Sequence, residues 1–158
     1  MLTTVTAASP RTGSVHLVVG YDGSPPASRA LDAAVRLLQG RTGRIHVVYV
    51  AQLSSLAMLS PGAIAEIESD FDEIEQQLRA AAAEQLRDIV AVWGFERRQG
   101  TVAEELIAMA TAIGDADAGN GSTVAIVVGS SSHATHRVVG SVAVSLARHS
   151  PVPLVIVP

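Results

Sequence analysis

The stretch from Val124 to Ser141, VAIVVGSSSHATHRVVGS, constrains the fold more than any other part of the chain. Its opening run, Val124-Ala125-Ile126-Val127-Val128, is too short for a membrane span and too uniformly apolar for a half-exposed strand. It predicts a central parallel strand covered on both faces. Gly129 ends the run, and without a Cβ it lets the backbone turn sharply and a ligand come close. Ser130, Ser131 and Ser132 add hydroxyls beside free backbone N–H groups. Gly140-Ser141 then opens the apolar pattern Val142, Leu146, His149, which sets small residues and unpaired N–H donors at a helix N-terminus, where phosphate is electrostatically favoured. The stretch is a candidate phosphate site. A plain βα turn calls for glycine and serine for the same backbone reasons, so the motif alone leaves both readings open.

The rest of the chain repeats this strand-loop-helix grammar. Val15 to Tyr21, VHLVVGY, reads as a first buried strand closed by Gly20, with Asp22-Gly23 at its end. Ser24 can cap the next helix, Pro25 and Pro26 suit its first turn, and apolar residues recur from Ala27 to Leu38 before Gly40 stops it. Arg44 to Ala51 is a second strand. The loop from Gln52 to Gly62 carries Leu53, Leu56, Met58 and Leu59, which suit a lid over a pocket. One long helix is expected over Ala63 to Val92, ended by Trp93-Gly94, with a solvated carboxylate cluster in its early turns. Phe95 to Gln99 is the weakest strand and belongs near an edge. Thr101 and Glu104 form a capping-box pattern for a helix running to Gly114, Asp115 to Ser122 reads as a loop, and Pro151 to Pro158 gives a last strand.

Five strands alternating with four helices predict an α/β fold: a doubly wound, five-stranded parallel sheet with helices on both faces. The polar, glycine-bearing strand ends are Gly20-Tyr21-Asp22 and Gly129-Ser130-Ser131. If those two strands are neighbours, the order is 3-2-1-4-5 and the ligand crevice lies between them.

Composition removes several function classes. There is no cysteine, so disulfides, thiolate metal sites and thiol catalysis are excluded together, in keeping with a cytoplasmic setting. A net charge of −4 without a basic run argues against nucleic acid and anionic membrane surfaces. Residues 1–14 lack the charged and apolar segments of a signal peptide and are expected to form a flexible tail before a single domain over 15–158. No positioned nucleophile, clearly spaced histidine-carboxylate pair or metal-ligand cluster stands out, which predicts no dedicated enzyme. His16 and His46 fall within strands and are expected to be hydrogen-bonded or edge-facing. His133 and His136 fall in the serine loop and read as solvated.

With these pieces placed, the chain resembles the universal stress proteins, small Rossmann-like α/β domains that bind adenine nucleotides or signal. The resemblance rests on VGYDGSPPASRALDAA after strand one, GTVAEELIAMA after strand three, VGSSS after strand four and GSVAVSLARHSPVPLVIV at the end. It implies a stress-response or signalling module in which Asp22 holds ribose and adenine, beside Gly20 and Tyr21, and the backbone of Val50 meets adenine. Gly129, Ser130, Ser131, Ser132, Gly140, Ser141 and Val142 would take the phosphates of ATP, ADP or AMP, with Mg2+ arriving on the nucleotide. The family's glycine loop has a second glycine where Ser132 stands, and nine residues before the next glycine where this chain has the seven from His133 to Val139. The alternative is therefore a dimeric interaction or regulatory protein that no longer binds ATP. The resemblance also implies a homodimer through the last strand, residues 152–157.

Overall fold

The computed structural model describes residues 13–52, 61–130 and 140–158. In chain order the elements are β1 (Val15–Gly20), α1 (Pro25–Leu38), β2 (Gly43–Ala51), α2 (Pro61–Gln85), β3 (Val92–Gln99), α3 (Val102–Ala116), β4 (Thr123–Gly129), α4 (Ser141–His149) and β5 (Leu154–Val157). The strands form one five-stranded sheet in the order β3-β2-β1-β4-β5, and every pairing is parallel. This is the expected doubly wound arrangement, with strands one and four side by side.

The apolar runs explain the layering. Val18 and Val19 on β1, Ile45 and Val47 on β2, and Ile126 and Val127 on β4 are all fully buried, because successive side chains point to opposite faces and both faces are covered. On one face Leu17, Val19, Ile45 and Val47 pack with Ala30, Leu31 and Ala34 of α1 and Ala82 of α2. On the other, Val18, Val48 and Ile126 pack with Leu106 and Ala110 of α3 and Leu146 of α4. Each large side chain so enclosed contributes about 1.5–3 kcal/mol of transfer free energy.

Several boundaries differ from the sequence reading. Helix α2 begins at Pro61 and stops at Gln85, instead of running from Ala63 to Val92. Leu86 and Ile89 still bond back to Ala82 and Leu86 in tightening turns, after which the β-branched run toward Val92 is drawn into pairing with Arg44. Trp93 and Gly94 therefore lie inside β3, not at a helix end. Gly94 sits where the Arg44 guanidinium crosses the neighbouring strand, 2.6 Å from any Cβ it might have carried. The expected capping box at Thr101 does not form, since Thr101 caps α3 without a side-chain bond, and α3 continues through Gly114 to Ala116. The acidic turns of α2 are only partly solvated: the Arg97 guanidinium on edge strand β3 reaches Asp72, Glu75 and Glu68 at 2.6, 3.5 and 3.6 Å. The proposed lid residues 53–60 lie outside the described residues.

Candidate functional site

At the carboxyl ends of β1 and β4, α1 leaves toward one face of the sheet and α4 returns along the other, and a crevice opens where the two directions part. It has a volume of about 230 Å³ and is lined by Gly20, Tyr21, Asp22 and Ser24, by Pro26 and Ala27 of α1, by Val48 to Val50, by Val102 and Leu106 of α3, by Val128 and Gly129, and by Gly140 to Ala143. Residues far apart in sequence thus meet at one place, and no Lys or Arg is among the described lining residues.

Three local geometries give the crevice its chemistry. At one end, the Ala51 carbonyl accepts from the Gly100 N–H on the β3 side at 3.1 Å, and the Val48 carbonyl accepts from the Tyr21 N–H on the β1 side at 2.8 Å. By the alternation of a parallel strand, Val50 turns its N–H and carbonyl toward the β1 side, beyond the point where β1 ends at Gly20. Among the described residues no backbone group takes them up, and Val50 lines the crevice. In the middle, exposed Asp22 accepts from the Ser24 N–H at 3.0 Å through Oδ1, an Asx turn that aims the carboxylate at the mouth. At the other end, Gly140 caps α4 with extended backbone, and its carbonyl takes the first helical bond, from Val144 N–H at 3.0 Å. The N–H groups of Ser141, Val142 and Ala143 precede that bond and have no acceptor within the helix, so they form an anion-favouring cluster.

Other expected site residues behave differently. Tyr21 is buried in the core cluster that includes residues of α1 and α2 and also lines the crevice. The Ser130 N–H donates to the Val157 carbonyl at 2.7 Å, which removes it from phosphate binding. Beside it, Arg29 Nε donates to the Pro158 oxygen at 2.8 Å. Gly129 is needed for packing as well as for access: a Cβ there would fall well inside contact distance of the Pro26 carbonyl and 2.6 Å from Pro26 Cβ. Ser131, Ser132, His133 and His136 lie outside the described residues. Among the described residues no group of three or more His, Asp or Glu side chains is placed to hold a metal ion.

His16 and His46 are hydrogen-bonded, one of the two expectations for them, but in a cluster whose carboxylate the sequence reading did not identify. His16 Nε2 lies 3.0 Å from Asp117 Oδ2, and its Nδ1 lies 3.0 Å from His46 Nε2. The two partners of this histidine-carboxylate pair stand about a hundred residues apart, and only the alternation that turns His16 and Val18 to one face hinted at a shared location.

The universal stress protein family model matches residues 15–158. The chain belongs to the universal stress protein family. Among solved structures, the universal stress protein UspA from Lactobacillus plantarum aligns with 17% identity and a TM-score of 0.71, covering 92% of this chain and 99% of that one. A universal stress protein in complex with cAMP aligns with 21% identity and a TM-score of 0.60, covering 90% of this chain and 96% of that one. A family protein from Arabidopsis thaliana with AMP bound aligns with 12% identity and a TM-score of 0.60, covering 90% of each chain. At such identities these likenesses speak to the fold. No curated protein matches the chain. No helix among the described residues is long and apolar enough to cross a membrane.

Proposed function

We propose that the crevice binds an adenine nucleotide and that this family member is a stress-response or signalling module that senses the nucleotide without turning it over. The observation that carries the reading is that the backbone edge at Val50, Asp22 and the helix N-terminus at Gly140-Ser141 line one crevice, with neither the edge nor the helix N-terminus taken up by another described backbone group. A purine edge suits the first, a ribose hydroxyl pair suits the carboxylate, and a phosphate suits the last. Relatives of the same fold whose structures contain cAMP and AMP support the choice of adenine.

The phosphate end favours one phosphate over three. Neither Lys nor Arg is among the described lining residues, the Ser130 N–H is taken by Val157, and the loop before Gly140 is two residues shorter than the family's pattern. A triphosphate would bring several negative charges to a crevice whose described residues offer helix-terminal N–H groups and no basic side chain, and Mg2+ would arrive bound to it. Calorimetric titration is expected to rank AMP and cAMP above ADP and ATP. Absence of heat from all four up to about 1 mM, where binding free energy falls to about 4 kcal/mol, would reject nucleotide binding. It would favour the interaction-protein alternative.

Assembly through β5 belongs to the same proposal. β5 lies at the sheet edge, and Leu154 to Val157 are half-buried apolar residues with no charge to blunt the pairing edge. Two copies pairing about a two-fold axis would cover it. Light scattering should give about twice the chain mass of 16.3 kDa, and Val155→Lys should lower it to one chain with the circular dichroism spectrum retained. A wild-type mass of one chain at tens of micromolar would rule the interface out.

A further inference from the structure

The end of the sheet opposite the crevice holds a hydrogen-bonded cluster of titratable and hydroxyl side chains. His16 stands near the start of β1 and His46 on the adjacent β2, both on the face covered by α3 and α4. Their rings lie 5.3 Å apart between centroids, tilted by 31°. Asp117, the residue after α3, meets His16 Nε2 at 3.0 Å. Ser14 Oγ bridges the group, 2.9 Å from His16 Nε2, 2.9 Å from Ser122 Oγ and 3.4 Å from Asp117 Oδ2. The cluster therefore ties together four pieces of chain: the entry to β1, the middle of β2, the end of α3 and the turn into β4.

We propose that His16, His46 and Asp117 form a one-proton site that joins the end of α3 to β1 and β2 and opens at the His16–His46 contact when a second proton arrives. The count follows from the donors. With Asp117 ionised, His16 carries its proton on Nε2 and donates it to the carboxylate and to Ser14 Oγ, which leaves Nδ1 as a lone pair. His46 then donates from Nε2 to that lone pair. One added proton leaves the contact intact: it binds at His46 Nδ1, or it passes along the pair so that His16 donates from Nδ1 to His46 Nε2. A second added proton puts N–H against N–H at 3.0 Å, and the contact must open.

The surroundings enforce this count. Burial, the neighbouring His16 and the Arg44 guanidinium together lower His46 from 6.5 to about 4. The Ser122 hydrogen bond, aided by His16, Asn120 and Ser14 against burial, keeps the Asp117 carboxyl below its ordinary value and so ionised. Arg44 on β2 is the cation on His46's own strand. In register, β4 offers only Val124 beside His16, and β3 offers Gly94 beside His46, with Glu96 two residues on. α3 contributes apolar Met109 and Ala110 to this face. The sign is fixed: a histidine held below its unfolded pKa binds fewer protons when folded, so its contribution to stability is present above about 6.5 and is lost as the pH falls toward 4.

The test is imidazole NMR on the wild-type chain after dialysis against EDTA, from pH 8 to 4, with denaturant unfolding of wild type and His46→Gln at pH 7 and 5. Both rings should carry their proton on Nε2 at pH 8. Proton uptake should come in two separated steps, the last near pH 4 and accompanied by loss of the hydrogen-bonded His46 signal. Between pH 7 and 5 the wild-type unfolding constant should rise roughly twentyfold more than that of His46→Gln. If that variant does not fold, the wild-type spectra decide alone. Two rings titrating independently at one pH, equal acid sensitivity of the two proteins, or spectra that change on EDTA treatment because a cation bridges the nitrogens, would each overturn the proposal.

Discussion

Gly129→Ala should lower the stability of the fold by about 3 kcal/mol, the upper end of what overpacking costs, and shift the thermal midpoint by about 6–12 °C in a chain of this size. The new methyl would enter the space of the Pro26 carbonyl and Cβ. The carbonyl is backbone, so no rotamer change relieves the clash, and the first turn of α1 must move away from β4. Gly20→Ala is the matched control. Its methyl would meet Leu106 Cδ1 at 3.1 Å and Val128 Cγ1 at 3.3 Å, both side-chain atoms that can yield by tenths of an ångström. The expected cost is below about 1.5 kcal/mol. Differential scanning calorimetry of the two variants measures the contrast, and equal midpoints would remove the packing explanation for Gly129.

Asp22→Ala should weaken AMP about 10- to 150-fold, the equivalent of about 1.5–3 kcal/mol for a hydrogen bond to a charged group. The same change also removes the Asx turn that Oδ1 makes with the Ser24 N–H, a bond worth about 1 kcal/mol to the fold. Asp22→Asn separates the two roles, because an amide oxygen can keep the turn while the charge is lost. Affinity should fall in both variants and the melting midpoint only in the alanine variant. Unchanged AMP affinity in Asp22→Asn would assign Asp22 to the turn alone.

The sheet was legible from sequence because its strands are written as uninterrupted β-branched runs, and burial on both faces is what such runs mean. The crevice was legible for the same reason: where such runs end in Gly-Tyr-Asp and Gly-Ser-Ser, polar loops must collect at one end of the sheet. Less legible were the places where a residue's partner is remote. Gly20 and Gly129 end nearly identical motifs, yet only the second is held by a backbone from another element. The Ser130 N–H looked free because its acceptor, the Val157 carbonyl, lies on the last strand. The end of α2 was overrun because Leu86 and Ile89 keep helical spacing after the helix has stopped, their side chains still serving the core while the backbone prepares for β3. Nothing local marks Asp117 as the partner of His16, since their meeting depends on β1 lying next to β4.

The bonds at the last two residues reach beyond the strand they finish. Val157 and Pro158 supply the acceptors for the Ser130 N–H and the Arg29 guanidinium, on segments that adjoin Gly129 and Pro26 of the crevice. Trimming those two residues would free a neutral donor and a cation beside a cleft whose described lining has no basic side chain. On the proposed nucleotide reading, a chain so changed would tolerate additional phosphates better while losing part of its edge strand, which couples the pairing of β5 to the charge presented at the crevice.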